Sequence, residues 1–285
     1  MSDCFSRSAP HLGFTQDGVD FYDQTRSWPP NITMMWRESI VARLGNAANI
    51  LDLGVGTGRL AIELRREAPN VVGLDFSFPM LSRFSRKQRE IKDKVPLIQG
   101  DATMLPFHES SFDCVLTTHL WPFVAEWHRG LSEVCRVLRR SGLLIDTEGG
   151  PTFEGLRGEL HDAWQRALVR RGVVARYPGP QSRHAFEKAL RELCARKVGH
   201  ISIATWSESK QVKELLSTVA GHYQFCFCVP LSEVKAIQKE IETRAMNHFQ
   251  LDETVLDPQS LKLSIWRFGA NRESVIDRCV RWFRE

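Results

Sequence analysis

Apolar residues fall along this chain in short unbroken runs separated by amphipathic stretches, the pattern of strands and helices in alternation. Ile50-Leu51-Asp52-Leu53 and Val71-Val72-Gly73-Leu74-Asp75 are runs of strand length, as expected of parallel strands covered on both faces. Val95 to Ala102, Ser111 to His119 and Leu143-Leu144-Ile145 continue the series. Between them, Leu60, Ala61, Ile62 and Leu64 mark a helix starting near Thr57, and a second starts near Phe78. Leu131 to Leu138 has helical spacing and a basic end at Arg136, Arg139 and Arg140, which suits the negative end of a helix, with Gly142 as its stop. The predicted class is α/β.

Beyond residue 150 the pattern changes. Phe153–Arg171 and Ala185–Lys197 have helical spacing and are separated by Tyr177-Pro178-Gly179-Pro180, a loop by composition. His200–Trp206 alternates as a strand, and Ser207–Ala220 reads as a helix capped by Ser207. A helix over Leu231–Phe249, a strand over Leu261–Phe268 and a helix over Glu273–Phe283 complete the chain, and Phe21 to Arg26 belongs to a leading helix.

The chemistry concentrates where the first strand runs into Gly54-Val55-Gly56-Thr57-Gly58-Arg59. Glycines let the backbone turn sharply and approach a ligand closely. A dinucleotide fingerprint requires G-x-G-x-x-G, whose helix N-terminus meets a pyrophosphate. Here Arg59 stands in place of the third glycine of that spacing, which points to a cofactor without a phosphate at the turn. About twenty residues on, Asp75 ends the second strand where a ribose-binding carboxylate belongs, although its position also suits a helix N-cap, a role open to Ser77 as well.

The pattern Asp52-x-Gly54-x-Gly56-x-Gly58 resembles motif I of the class I S-adenosylmethionine-dependent methyltransferases. Together with Asp75, Asp101-Ala102 and the Ser111–His119 segment, it resembles the methyltransferase type 11 branch, related to quinone-biosynthesis methyltransferases. The resemblance covers about residues 40 to 150. It implies a Rossmann-like fold with a mostly parallel seven-stranded sheet, an antiparallel last strand and a helical lid inserted after strand five. It divides one domain into a covering N-terminal segment over 1–40, a cofactor core over 41–150, a lid over 151–199 and a C-terminal part over 200–285. S-adenosylmethionine is the implied cofactor. Asp52, Gly54, Gly56, Gly58, Asp75, Phe76, Asp101, Ala102 and Thr118 are the implied contacts, with Met104 and Leu105 as further adenine neighbours or plain core.

Methyl transfer to a hydroxyl or an acidic carbon is helped by a base, and an imidazole with an ordinary pKa of about 6.5 is matched to neutral pH. His119 lies where such a base would face the acceptor, or it merely shapes the pocket. Tyr22, on the leading helix, is the second catalytic candidate. Trp121 and Phe123 either wall an apolar acceptor site or belong to the core. Glu148, Arg157, His161 and Arg183 are polar positions in the lid region that could meet an acceptor, with nothing in the sequence to choose among them. The expected function is methylation of a small, partly apolar metabolite at oxygen or carbon, within secondary metabolism. The alternative is a protein of this fold that acts in biosynthesis as a cyclase or a binding module.

Composition narrows the partners. A 42% hydrophobic, 25% charged chain of 285 residues can bury a sizeable core. Seven cysteines, an odd number, do not make a disulfide framework and suit a reducing compartment. Met1 to Gly18 lacks an apolar leader run and no stretch is long enough to span a bilayer, so the expectation is a cytoplasmic protein with no membrane partner. The basic residues Arg83, Arg86, Lys87, Arg89, Lys92 and Lys94 are interleaved with Glu90 and Asp93, a solvated face within a net charge of only +4. No nucleic-acid partner is expected, because Thr118-His119-Leu120-Trp121 departs from the Asn-Pro-Pro-aromatic pattern of nucleic-acid amino methyltransferases. No metal is expected. Cys226-Phe227-Cys228 reads as a strand with both thiols on one face, where soft-metal binding is conceivable but a plain apolar strand is preferred.

Overall fold

The computed structural model describes residues 15–269. Its first half follows the apolar runs closely. Helix α1 (Gln16–Thr25) and helix α2 (Pro30–Leu44) lead into β1 (Ile50–Leu53), α3 (Arg59–Arg65), β2 (Val71–Asp75), α4 (Phe78–Lys87), β3 (Leu97–Gln99) and β4 (Phe112–Thr118). After a single helical turn at Trp121–Phe123 come α5 (Trp127–Val137) and β5 (Leu138–Pro151). Then follow α6 (Gly155–Arg170), α7 (Arg183–Glu192), β6 (Ala195–Gln211), α8 (Val212–Cys226), α9 (Leu231–Ala245) and β7 (Thr254–Phe268).

These strands form one seven-stranded sheet in the order β3-β2-β1-β4-β5-β7-β6. The first five are parallel neighbours, β1 lying between β2 and β4. Two pairs of contacts give β7 its direction. Along β5 the partners of Glu148 and Thr152 are Ser264 and Pro258, and along β6 Cys194 and His200 face Gly269 and Ser264. In both cases one number rises as the other falls, so β7 runs antiparallel to its neighbours. The two helices after β5, α6 and α7, form the expected insertion.

Two compact units divide the described chain. The larger contains residues 27–148, 178–203 and 262–269. Here Leu51, Leu53, Val115 and Leu144 are completely buried on the central strands, and each such side chain contributes about 1.5–3 kcal/mol on leaving water. Trp127, Leu131, Val134 and Val137 recur along one face of α5 and join the same cluster.

The smaller unit holds residues 15–26, 149–177 and 204–261. Its core is helical, with Leu160, Trp164 and Leu168 from α6, Val212, Leu215 and Val219 from α8 and Ile237 and Ile241 from α9. Trp164 stacks on Tyr223 with centroids 4.7 Å apart. Helix α1 approaches so closely that a Cβ on Gly221 would lie 2.3 Å from the Phe21 ring. Arg157 and Asp257 form a buried pair of two hydrogen bonds, 2.7 and 2.6 Å long.

Several boundaries differ from the sequence expectation. The helix read over Leu131–Leu138 starts at Trp127 and ends at Val137, and β5 begins at once, ahead of Gly142. Helix α7 ends at Glu192, so Ala195 to Lys197 are strand. The strand read over His200–Trp206 continues to Gln211, which places Ser207 inside β6 and not at a helix start. The actual start of α8 is a capping box in which Gln211 and Glu214 satisfy each other's backbone N–H groups. Cys226 ends α8 and Cys228 has a left-handed backbone at φ 52°, so Cys226-Phe227-Cys228 lacks the extended geometry that would put both thiols on one face. The helix read over Glu273–Phe283 lies outside the described residues.

Candidate cofactor site

Strand β1 ends in the glycine turn, and the backbone there explains the residue types. Gly54 and Gly58 both have φ near 76°, a conformation costly for any residue with a Cβ. Space forbids one as well. A Cβ on Gly58 would lie 2.2 Å from the Phe84 ring, and one on Gly54 would lie 2.9 Å from Leu120 Cδ1. The turn is hung on the neighbouring strand by the N–H groups of Gly54 and Val55, which both donate to the Leu74 carbonyl.

Asp75, at the end of β2, ties down the middle of the same turn. Its carboxylate accepts from the Gly56 N–H and from the Ser77 N–H, each at 2.8 Å. The helix-cap role falls to Ser77, whose hydroxyl accepts from the Met80 N–H at the start of α4. Asp52 is buried in β1 beside this group. Burial first, and then the neighbouring Asp75 charge, push its pKa up to about 7, while Arg59 pulls it down. Burial also raises the pKa of Asp75, against the lowering effect of the Ser77, Gly56 and Phe76 N–H groups. Arg59 itself lies over the Trp28 ring, 4.3 Å from its centroid.

The floor of the turn therefore carries two destabilised carboxylates, which is the electrostatic complement of a cationic ligand. S-adenosylmethionine, with an ammonium and a sulfonium, fits that charge. A pyrophosphate does not.

Phe76 and Met104 are about half and two-thirds exposed, apolar surface of the kind a flat ring covers, whereas Leu105 and Ala102 are buried. Leu105 is thus core. Asp101 follows β3, and its carboxylate accepts from the Thr103 N–H at 2.7 Å. At the end of β4, the Thr118 hydroxyl oxygen is buried without a hydrogen-bond partner. His119, partly buried, has a left-handed backbone at φ 54°.

Trp121 is buried and its indole N–H donates to Thr117 Oγ1 at 3.2 Å. It packs with Phe186 and Trp127 in the hydrophobic core. Phe123 is partly buried. Tyr22 lies on α1, in the smaller unit.

One group at this strand end joins Thr117 and Asp146, which the sequence did not single out, to Glu148 and Arg183, which it did. Thr117 donates to Asp146 Oδ1 at 2.7 Å, and Arg183 binds Asp146 at 2.5 Å and Glu148 at 2.9 Å. Arg183 also meets Glu187 at 3.4 Å. Its charge is spent on these carboxylates, so it anchors α7 to the sheet. Arg157 is likewise occupied by Asp257. Among the described residues no group of three His, Cys, Asp or Glu side chains is arranged to hold a metal ion, and no helix is long and apolar enough to cross a membrane.

Comparison with known proteins agrees with this geometry. Residues 51–146 match the methyltransferase domain family. A demethylmenaquinone methyltransferase of Thermus thermophilus is 38% identical over 122 residues, which cover 42% of this chain and 56% of that protein. One of Beutenbergia cavernae is 34% identical over 192 residues, covering 64% of this chain and 77% of that protein. The chain thus spans little more than half the length of the first relative. The YcgJ protein of Bacillus subtilis has the same fold, with a TM-score of 0.57 at 18% identity over 84% of this chain and 99% of that one. The relatedness reaches across most of the Beutenbergia protein, the family match includes the whole of the glycine turn, and this chain belongs to the class I S-adenosylmethionine-dependent methyltransferases, in the branch related to the quinone-biosynthesis enzymes.

Proposed function

We propose that this chain transfers the methyl group of S-adenosylmethionine to a small, partly apolar acceptor, at oxygen or carbon. The observation that carries the reading is the carboxylate pair of buried Asp52 and partly buried Asp75 at a turn where Gly54 and Gly58 have left-handed backbones and Gly58 has no room for a side chain. Asp75 would hold the ribose hydroxyls, and Asp52 would balance the ammonium end. Asp101 and the Ala102 N–H would meet the adenine edge, and Phe76 its face. The unpaired Thr118 hydroxyl faces the same requirement for a polar partner.

When bound, the cofactor supplies a methyl group already activated by the positive sulfur. The protein's task is then to align the acceptor and exclude water. His119 would hold or take the acceptor's proton, with Phe123 as an apolar contact. The relatives named for demethylmenaquinone support an acceptor that is small and carries a substantial apolar part.

The pKa of Asp52 gives the reading a pH signature. A carboxyl raised to about 7 holds its proton in the folded protein, while the unfolded chain has already lost it. Its contribution to stability therefore declines as pH rises from the ordinary carboxylate range to about 7. Binding of a cation has the opposite sense, since it favours the ionised form. Affinity for S-adenosylmethionine should rise about tenfold from pH 6 to pH 8 on account of this group, and Asp52→Asn should remove that part of the slope in a calorimetric titration. An identical slope in the variant would contradict the assignment.

The activity itself is tested by incubating the full chain with S-adenosylmethionine and a panel of hydroxylated aromatic and quinol acceptors. S-adenosylhomocysteine should form only when a suitable acceptor is present. Cofactor binding with no product across the panel would favour the cyclase or binding-module alternative.

A further inference from the structure

The smaller unit contains an aromatic and imidazole cluster that the cofactor turn does not use. At its edge, His161 of α6 is partly buried. Its Nδ1 lies 3.3 Å from the Tyr223 hydroxyl, which also receives a hydrogen bond from Gln165 Nε2 at 3.2 Å and reaches the His161 carbonyl at 3.3 Å. These contacts fix the ring through Nδ1 and leave Nε2 for an outside partner. Burial, then Arg157 and Arg26, lower the His161 pKa to about 4, with Asp162 opposing, so the ring is neutral at working pH. Arg26 donates to His222 Nδ1 at 3.2 Å, and the other His222 ring nitrogen lies 3.0 Å from the Tyr177 hydroxyl.

Beside His161 stands a strained, exposed aromatic ring. Phe153 has φ 58° and is 54% exposed, an unusual state for a bulky apolar residue. Its backbone is closely packed. A Cβ on Gly158 would lie 2.1 Å from the Phe153 carbonyl oxygen, and the preceding Thr152 N–H donates to the Pro258 carbonyl at 3.0 Å. The Phe153 and His161 rings meet edge to face, with centroids 4.7 Å apart. An apolar ring held in the open next to a neutral imidazole with one nitrogen to spare has the two elements needed to recognise an aromatic molecule bearing oxygen.

We propose that Phe153 and His161 form a binding site for an oxygen-bearing aromatic ring, which packs on Phe153 and exchanges a hydrogen bond between its oxygen and His161 Nε2. The binding site stands independently of the function proposed above. With a ring that stays neutral, His161 acts as a binding and positioning residue, and its contribution is constant from pH 6 to pH 8.

The test is a titration of the full chain, without cofactor, with 2-naphthol and with its near-isostere 2-methylnaphthalene. The wild type should bind the naphthol about tenfold more tightly, the factor expected of one partly buried hydrogen bond. In His161→Phe the ratio should fall to about one, in Phe153→Ala both ligands should bind more weakly with the ratio kept, and the His161 side-chain nitrogen resonances should shift with naphthol in the wild type. Circular dichroism checks the fold of each variant. A wild-type ratio near one, no binding of either probe, or a ratio unchanged in a folded His161→Phe variant would overturn the proposal. Because no methyl transfer is involved, failure here is distinct from failure of the proposed activity, which the product assay reads separately.

Discussion

Replacing Asp257 by alanine is expected to destabilise the protein by about 3–5 kcal/mol, the typical cost of breaking a buried ion pair from one side. Asp257 and Arg157 are 0% and 5% exposed at their side chains and share two short hydrogen bonds, and Lys210 adds a third contact at 3.2 Å. Removing the carboxylate leaves the buried guanidinium without its partner and takes away the shared acceptor of Lys210. Burial would raise the pKa of Asp257, but Arg157 and Lys210 outweigh it and the net shift is downward. Its stabilisation is therefore present above the ordinary carboxylate range and is lost as pH falls through the lowered value. Urea denaturation at neutral pH measures the loss. The double replacement Arg157→Met with Asp257→Leu should recover much of it, since a buried pair exchanged for apolar residues is often neutral. A single-variant loss below about 1 kcal/mol would contradict the argument.

The second large effect concerns Asp75. Asp75→Ala should weaken S-adenosylmethionine binding by at least about 30-fold, because hydrogen bonds to a charged group are worth about 1.5–3 kcal/mol each. Two losses combine in it. The Gly56 and Ser77 N–H groups lose their acceptor, so the turn loses the tie that shapes it, and the ribose hydroxyls lose their proposed partner. Asp75→Asn, which keeps one acceptor oxygen, should lose less. A mere helix cap would behave differently: stability would fall while affinity in the folded fraction held. Ser77 already supplies that cap, so affinity is where the change should appear.

Much of the larger unit is legible in the sequence because burial on both faces leaves β1, β2 and β4 as unbroken apolar runs, and because Gly54 and Gly58 answer to backbone angles that only glycine meets cheaply. The region around β6 is not legible in that way. Its residues alternate between partial and full exposure, and in an edge strand of this kind Ser207, Glu208, Ser209 and Lys210 look no different from the first turn of a helix. The Gln211-Glu214 capping box was the available signal for the true start of α8. Trp121 shows a different limit. Its place after β4 leaves both an acceptor wall and plain core open, and its packing against Phe186 depends on a helix more than sixty positions away.

Electrostatics is harder still to read in one dimension. The raised pKa of Asp52 results from burial and from Asp75 on the adjacent strand. The Asp146, Glu148 and Arg183 group likewise forms only when α7 returns to the sheet. In the proposed reading, the likeness of charge that makes Asp52 and Asp75 costly to each other would also select the ligand. A cation relieves it and a pyrophosphate aggravates it.

That contrast can be measured directly by calorimetric titration of the full chain with S-adenosylmethionine and, in parallel, with NAD. One saturable site for S-adenosylmethionine, greatly weakened in Asp75→Ala, with no comparable binding of NAD, is the predicted result; absence of S-adenosylmethionine binding, or tighter binding of NAD, would contradict the account.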